Sequence, residues 1–439
     1  MTEPSSPPGV EALSAQTENL AAAASGPTSP GREPRGYVAT LGAANFGIFV
    51  SLLTPVLVSM AFKVQHLTDS AAEATGALGL VLGVGAFFAL VANPLVGRLS
   101  DRTVSRLGMR RPWIIGGVIV AFLAFALIGV ATSVWIVLVG WCLAQSAMNA
   151  VLAAVHATLP DQVPSERRGK ASGIVGIMTP LGILGGSFIV NFLDSDVTRF
   201  VVPGAVALVL CLLFAITLKD RVLTTKPAQR LTLAQFFGSF VFNPVKHPDF
   251  AWAWITKFLV MFGYAGIATF LPYYLTEKFS LTEQDAITTI LLANISSMIA
   301  MAVSSPIGGI LSDRWGKRRP FVTFAGVVMV IGLVILSFAP SIGVLIVGQT
   351  IIGFGAGAFF SVDLALTTEV LPNPDDTAKD LGVLNIANAL PQSVAPAIAP
   401  GVIALGALTP LGGYTVYYLF GGLVALAGAV LVYRIKSVA

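Results

Sequence analysis

Three ionisable side chains fall inside long apolar stretches of this sequence, where an isolated charge is costly. Asp363 follows the run IIGFGAGAFFSV, Lys257 lies within AWAWITKFLVMFG, and His156 lies within VLAAVHATL. A buried carboxylate is driven toward its neutral form unless a cation pairs with it, so Asp363 is a candidate proton site. Lys257 is its candidate partner, although a lysine can also extend its ammonium to the membrane surface. His156 is a second candidate, because histidine changes its charge near neutral pH. The alternative is a fixed interhelical ion pair or hydrogen bond.

Amide side chains recur at helical spacing in the same kind of apolar stretch. One stretch places three polar residues on one helix face, at i, i+4 and i+11: Gln145, Asn149 and His156. Another has the spacing i, i+3 and i+7: Asn385, Asn388 and Gln392. Further candidates are Asn45, Tyr273, Tyr274, Asn294 and Gln349. Amides beside aromatic faces suit a neutral, hydroxylated solute. The alternative is that each amide only holds two helices together.

The elements that carry these residues are apolar helices. Of 439 residues, 55% are hydrophobic and 11% are charged, whereas a soluble domain has about 25% charged residues. A segment of about 20 apolar residues can span a bilayer. Twelve such segments begin near Tyr37, Ala77, Pro112, Val134, Gly169, Phe200, Ala251, Ala286, Pro320, Ile342, Lys379 and Tyr414. We therefore predict an all-α polytopic membrane protein with twelve transmembrane helices.

The basic residues predict how the chain is oriented. With the N-terminus inside, 22 lysines and arginines fall in cytoplasmic segments and three fall outside: Lys63, Arg199 and Lys278. Positive residues favour the cytoplasmic side, so we expect both termini in the cytoplasm and the protein in the cell membrane. Because the basic residues are confined to short loops, no nucleic-acid partner is expected. Residues 1–36 are rich in Ser, Pro, Ala and Glu and are predicted to be a disordered cytoplasmic tail.

The chain also repeats itself. GRLSDRTVSRLGMRRPWI begins at Gly97, GGILSDRWGKRRPFV begins at Gly308, and their SDR triplets lie 212 residues apart. A weaker repeat relates LPDQVPSERRGKASG to LPNPDDTAKDLG at the same spacing. Two six-helix halves joined by a linker are a known transporter plan. We predict an N-terminal half at 37–218, a cytoplasmic linker at 219–250 and a C-terminal half at 251–439.

The two repeated loops resemble the signature loop of the major facilitator superfamily, which lies between its second and third helices. The matching residues are Gly97, Asp101, Arg102, Arg110 and Arg111 in the first half, and Gly309, Asp313, Arg314 and Arg318 in the second. The resemblance implies that these loops are gates. It also implies that Asp101 contacts the start of the eleventh helix, near Thr377–Asp380, when the cytoplasmic side is closed. Alternatively, the arginines only mark the topology.

The first loop differs from the second by the insertion SRLG, and this longer form is similar to the sucrose and glycoside cation-symporter branch. The second apolar segment, however, lacks the carboxylates of melibiose-type symporters. The arginine of drug–proton antiporters would fall near Cys142. The resemblance implies a secondary active transporter of a small, sugar-like polar solute, coupled to protons or another cation. The alternatives are proton-driven efflux of a drug or metabolite, and a sensor or membrane enzyme on the same scaffold.

Nucleotide-binding, hydrolytic and metal-ligand motifs are missing from the sequence. We therefore expect no enzyme activity, no cofactor and no metal. The energy for transport must then come from an ion or solute gradient. The expected partners are the solute, the coupling cation and the lipid bilayer, and we expect the protein to function as a monomer.

Overall fold

The computed structural model describes residues 34–223, 242–372 and 377–437. Most of the predicted tail and the middle of the predicted linker, 224–241, lie outside the described residues. Twelve helices in the described part are long and apolar enough to cross a membrane, which confirms the predicted fold class. They are α1 (Tyr37–Gln65), α2 (Ala71–Ser100), α3 (Arg111–Val130), α4 (Val134–Gln162), α5 (Ser165–Val190), α6 (Asp196–Thr217), α7 (Pro248–Phe279), α8 (Glu283–Trp315), α9 (Arg319–Ser337), α10 (Ile342–Glu369), α11 (Thr377–Ala407) and α12 (Gly413–Leu431).

The two ends of the bundle start their helices differently. At the end that carries the repeated SDR loops, here called the basic end, α3, α7 and α9 begin with a proline in the first turn. Proline is tolerated there because the first N–H groups have no helical partner. At the opposite end, five helices begin at a hydroxyl side chain that accepts an N–H of the first turn: Ser70, Ser133, Ser195, Thr282 and Ser341.

Capping explains why α2 begins six residues before the start expected from hydropathy. The Ser70 hydroxyl accepts the Glu73 N–H at 3.2 Å, and the Glu73 carboxylate accepts the Asp69 N–H at 3.2 Å. This is a variant of the capping box in which Glu73 reaches the residue before the N-cap, and it satisfies two N–H groups at the helix start. The polar first turn therefore belongs to the helix although its composition is that of a loop.

The two halves repeat one packing pattern. In the N-terminal half α1 packs on α5 and α6, and α4 on α2 and α3; in the C-terminal half α7 packs on α11 and α12, and α10 on α8 and α9. The halves meet chiefly along α2–α11, with further contacts between α1 and α7 and between α5 and α8. Glycine permits the first approach, since a Cβ on Gly79 would lie 2.6 Å from the Pro396 carbonyl oxygen.

The bonds that join the halves cluster toward the opposite end. Tyr273 Oη donates to the Ala61 carbonyl at 2.7 Å, and the hydroxyls of Thr75 and Tyr414 lie 3.2 Å apart. Helix α5 changes character along its length. Gly186 is packed tightly against Thr54 of α1, whereas Gly169, Gly173 and Gly176, nearer the basic end, have no neighbour within 4 Å of a Cβ position. The described bonds between the halves thus close the opposite end, and from this asymmetry we infer a cleft toward the basic end.

Candidate functional site

The structure brings together Lys257 of α7 and Asp363 of α10. The Lys257 Nζ donates to Asp363 Oδ2 at 2.7 Å, and the two side chains are 11% and 6% exposed. Asp363 lies six residues before the end of α10 and Lys257 nine residues after the start of α7. At 1.5 Å per residue the pair is thus roughly 9–14 Å inside the basic end. Each charge offsets the cost of burying the other, so removing one side chain leaves the other charge buried and unpaired.

His156 of α4 is hydrogen-bonded to Asn45 of α1. His156 Nε2 lies 2.7 Å from Asn45 Oδ1, while the Asn45 amide donates to the Leu41 carbonyl at 2.9 Å. An amide oxygen only accepts, so His156 donates from Nε2. The ring is exposed, and its Nδ1 makes no hydrogen bond to the described residues. Like Asp363 on the repeat-related helix, His156 lies six residues before the end of its helix, so both titratable groups lie at a similar depth.

Two of the three α11 amides lie on the face that we infer lines the cleft. Asn385 and Gln392 are exposed, and helical spacing places them on the same face as Pro396 and Pro400. Those two prolines contact Gly79 of α2 where the halves are closed. Nearer the basic end the same α11 face therefore points across the cleft toward the N-terminal half.

The other polar candidates on α4, α10 and α11 have mixed surroundings. The Asn149 amide donates to the Gln145 side-chain oxygen at 3.1 Å, so the two residues act as a pair. Asn388 Oδ1 and Gln349 Oε1 are buried without a hydrogen-bond partner among the described residues. A buried oxygen without a donor is costly, and a ligand hydroxyl or water can supply one.

Three predicted solute-binding residues are already engaged in this state. Tyr273 bonds across the closed end to the carbonyl of Ala61, and Asn294 donates to Ser187 Oγ of α5 at 3.1 Å. Tyr274 Oη donates to the carbonyl of Leu336 at 2.8 Å within the C-terminal half. These side chains hold helices together here, which is the alternative role considered above.

The first repeated loop is organised around Arg110. This arginine is 4% exposed, donates to Ser100 Oγ at 2.6 Å, and forms ion pairs with Asp101 and with Asp161 of α4. The backbone N–H groups of Arg110 and its neighbour both donate to Asp220 Oδ2, at 2.7 and 2.8 Å, where α3 begins. Asp101 is 57% exposed and is paired within its own half. Thr377 to Lys379 lie where side chains are not described, so the predicted contact with α11 stays a prediction for another state.

The second loop repeats this arrangement around Arg318. Arg318 donates to Ser312 Oγ at 3.0 Å and forms ion pairs with Asp313 and Glu369. With the SRLG insertion removed, Arg318 aligns with Arg110 of the first loop. The second carboxylate of each set comes from the end of α4 in one half and of α10 in the other. Arginine thus ties the second and fourth helices of each half together.

A charged network at the opposite end was missed by the sequence reasoning. It consists of Lys63, His66, Asp196, Arg199 and Glu283, here called the opposite-end cluster. Lys63 and Arg199 were expected only to lie on the outer side, and the structure buries each of them to 4% exposure. Lys63 Nζ donates to the Gly129 carbonyl at 2.9 Å and to Asp196 at 3.2 Å. Hydropathy gave no signal for it, because its members come from three separate helix ends.

The opposite-end cluster joins the two halves. Glu283, at the start of α8, pairs with Arg199 of α6 and lies 3.1 Å from His66 Nε2. Beside it, Gln284 donates to the Asn191 carbonyl at 2.7 Å. These bonds require the start of α8 to lie close to the ends of α1 and α5 and the start of α6, so they depend on a closed opposite end.

Comparison with known proteins agrees with this architecture. The family model described as Major Facilitator Superfamily matches residues 39–301 and 254–438. Multidrug resistance protein 2 of Bacillus subtilis is 26% identical over 287 residues, 64% of this chain and 66% of that protein. Multidrug resistance protein MdtG of Dickeya zeae is 26% identical over 327 residues, 73% of this chain and 76% of that protein. Inositol transporter 4 of Arabidopsis thaliana is 34% identical over 100 residues, 22% of this chain and 17% of that protein.

Solved structures share the fold at low sequence identity. The nucleoside transporter NupG superposes with a TM-score of 0.71 and 14% identity, covering 91% of this chain and 99% of that one. A D-xylose–proton symporter superposes with a TM-score of 0.66 and 16% identity, covering 92% and 97%. With the family model spanning nearly the whole described chain, the predicted resemblance is confirmed: this chain belongs to the major facilitator superfamily and is a membrane transporter, not an enzyme.

Proposed function

We propose that this transporter is a proton-coupled symporter that takes up a small, neutral, hydroxylated solute, sugar-like in chemistry, by alternating access. The observation that carries the proposal is the Lys257–Asp363 pair, buried at 2.7 Å beside a cleft lined with amides. Ionisable pairs at membrane depth are costly and mark ion pathways. A proton on Asp363 would break the pair, so the pair's state would report whether a proton is bound.

The cleft favours a neutral solute over a charged one. Among the described residues, the polar groups that face it from α4 and α11 are His156, Asn385 and Gln392. Lys257 and Asp363 neutralise each other, so the nearby charge balance is near zero. Amides both donate and accept, which matches hydroxyl groups in either role. The D-xylose–proton symporter and the nucleoside transporter with the same fold act on solutes of this kind by their names.

The proposed orientation places the basic end in the cytoplasm of a cell, with both termini there and the opposite end outside. The concentration of lysine and arginine at the basic end supports it. The proposed organisation remains a tail (1–36), two halves (37–218 and 251–439) and a linker (219–250), acting as a monomer. In this proposed orientation the inferred cleft would open toward the cytoplasm.

Uptake into proteoliposomes tests the function. A panel of pentoses, hexoses, disaccharides, polyols and nucleosides is first screened by melting temperature, because a ligand at 100 times its Kd stabilises by about 2.7 kcal/mol. Stabilising solutes are then offered in radiolabelled form with the outside at pH 6 and the inside at pH 7.5. Accumulation that collapses with a protonophore supports symport. Proton-coupled symport is contradicted if protons flow without solute, or if solute accumulation is the same with and without the pH gradient.

Proton-driven efflux of a drug or metabolite is the second candidate. It is favoured by the two multidrug resistance proteins, whose similarity extends over 64% and 73% of this chain. The same proteoliposomes separate the candidates. An exporter, facing outward, moves a preloaded fluorescent dye out when protons enter, and the sugars and nucleosides leave its melting temperature unchanged.

A further inference from the structure

His66 occupies an unusual place between two carboxylates from different halves of the transporter. Its Nδ1 lies 3.2 Å from both carboxylate oxygens of Asp196 on α6, and its Nε2 lies 3.1 Å from Glu283 Oε2 on α8. The ring is therefore the bridge in an Asp196–His66–Glu283 chain. The His66 side chain is 46% exposed, so solvent protons reach it directly.

Both ring nitrogens must carry hydrogens for this chain to be complete. An ionised carboxylate only accepts, and a neutral imidazole has one N–H. A neutral His66 would turn a lone pair toward either Asp196 or Glu283 and lose one of the two bonds. The imidazolium ion donates to both, and each bond is then charge-assisted.

We propose that His66, Asp196 and Glu283 form a proton-binding site that exists only while the opposite end is closed, so that acid stabilises the closed opposite end. Glu283 belongs to the C-terminal half and moves away from His66 when that end opens. A proton then binds more tightly to the closed state, and by linkage it shifts the population toward it. The site is separate from Asp363 and independent of the solute and coupling proposed above.

The surrounding charges define how strong this effect can be. Lys63 of α1 also pairs with Asp196 at 3.2 Å, and Arg199 of α6 also pairs with Glu283. Both carboxylates therefore keep a permanent cation when His66 is neutral. Asp194, in the α5–α6 loop, adds a negative charge close to Arg199. When the pH rises, the population of the closed state should therefore decrease without the loss of all bonds between the halves.

Double electron–electron resonance on the purified full chain measures this population. Spin labels are attached at Thr132→Cys and Leu408→Cys, which are exposed positions at the opposite end of the two halves. The native thiols Cys142 and Cys211 are replaced by alanine. Distance distributions are recorded from pH 5.5 to pH 8 for the parent, for His66→Gln, for His66→Lys and for the matched control His247→Gln at the basic end.

In the parent and in His247→Gln, the fraction with the short distance should rise as the pH falls. In His66→Gln this pH dependence should be lost and the fraction should stay at the alkaline level. His66→Lys carries a permanent charge, so its fraction with the short distance at pH 8 should be higher than that of the parent. The proposal is overturned if His66→Gln keeps the pH dependence of the parent, or if acid lengthens the distance.

Discussion

Replacing Asp363 with asparagine tests both the coupling role and the ion pair. The substitution mimics a permanently protonated carboxyl and leaves Lys257 without its partner at 2.7 Å. Breaking a buried pair costs roughly 3–5 kcal/mol, and the 11% exposure of Lys257 favours the lower figure because water can reach the ammonium. At ~2 °C per kcal/mol the melting temperature should fall by about 6 °C. Exchange of solute never requires proton release and should survive. Accumulation against a gradient requires it and should be lost.

The double variant Asp363→Asn with Lys257→Met separates stability from coupling. It removes both charges, so the melting temperature should return close to that of the parent while accumulation stays lost. Asp69→Asn, which alters an exposed carboxylate at the opposite end, is the matched control and should change neither property. Exchange, accumulation and melting temperature are measured on one proteoliposome preparation. Intact accumulation in Asp363→Asn would remove this residue from the coupling mechanism, and His156 would be the next site to test.

Three further predictions concern gating and topology. Asp101→Asn removes the carboxylate charge that the predicted contact with α11 requires. It should shift the population toward the state open at the basic end and slow transport by about tenfold, with folding preserved. Wild-type transport in this variant would refute the gating role of Asp101. Gly79→Val should force α2 and α11 apart and reduce the closed fraction in the resonance experiment, whereas Gly76→Val, with nothing within 4 Å, should match the parent. An impermeant thiol reagent added to cells should label Leu408→Cys and not Val245→Cys, which are 84% and 88% exposed at the two ends; the reverse pattern would invert the proposed orientation.

Much of the fold was predictable because a bilayer leaves few choices. Helices are required where backbone groups meet lipid, so apolar segments of sufficient length identify the spanning elements. The starts expected at Tyr37, Val134 and Ile342 coincide with those of α1, α4 and α10. The start of α5 was placed four residues late, at Gly169, because its first turn is charged and reads as a loop. The repeated loops also indicated which helices correspond.

The candidate site was predictable only in part. Helical spacing placed His156 and Asn149 on one face, and the cost of burial suggested that Asp363 needs Lys257. Spacing did not reveal that His156 bonds to Asn45, since these residues are 111 positions apart and only packing of α1 on α4 joins them. Nor did it reveal that Tyr273 and Asn294 bridge the halves in this state, because a side chain's partner depends on the conformation.

The sequence by itself determined that the chain is embedded in a membrane, how many helices it has, that it repeats, and which family it belongs to. These properties follow from local composition and from motifs that are contiguous in the chain. Tertiary structure decided which charges meet. Lys63 and Arg199 have the composition of loop residues, yet they are buried because α1, α6 and α8 end at the same place and bring Asp196 and Glu283 to them. Long-range electrostatic partners depend on three-dimensional position, and the energy that binds them is gained only after the helices have packed.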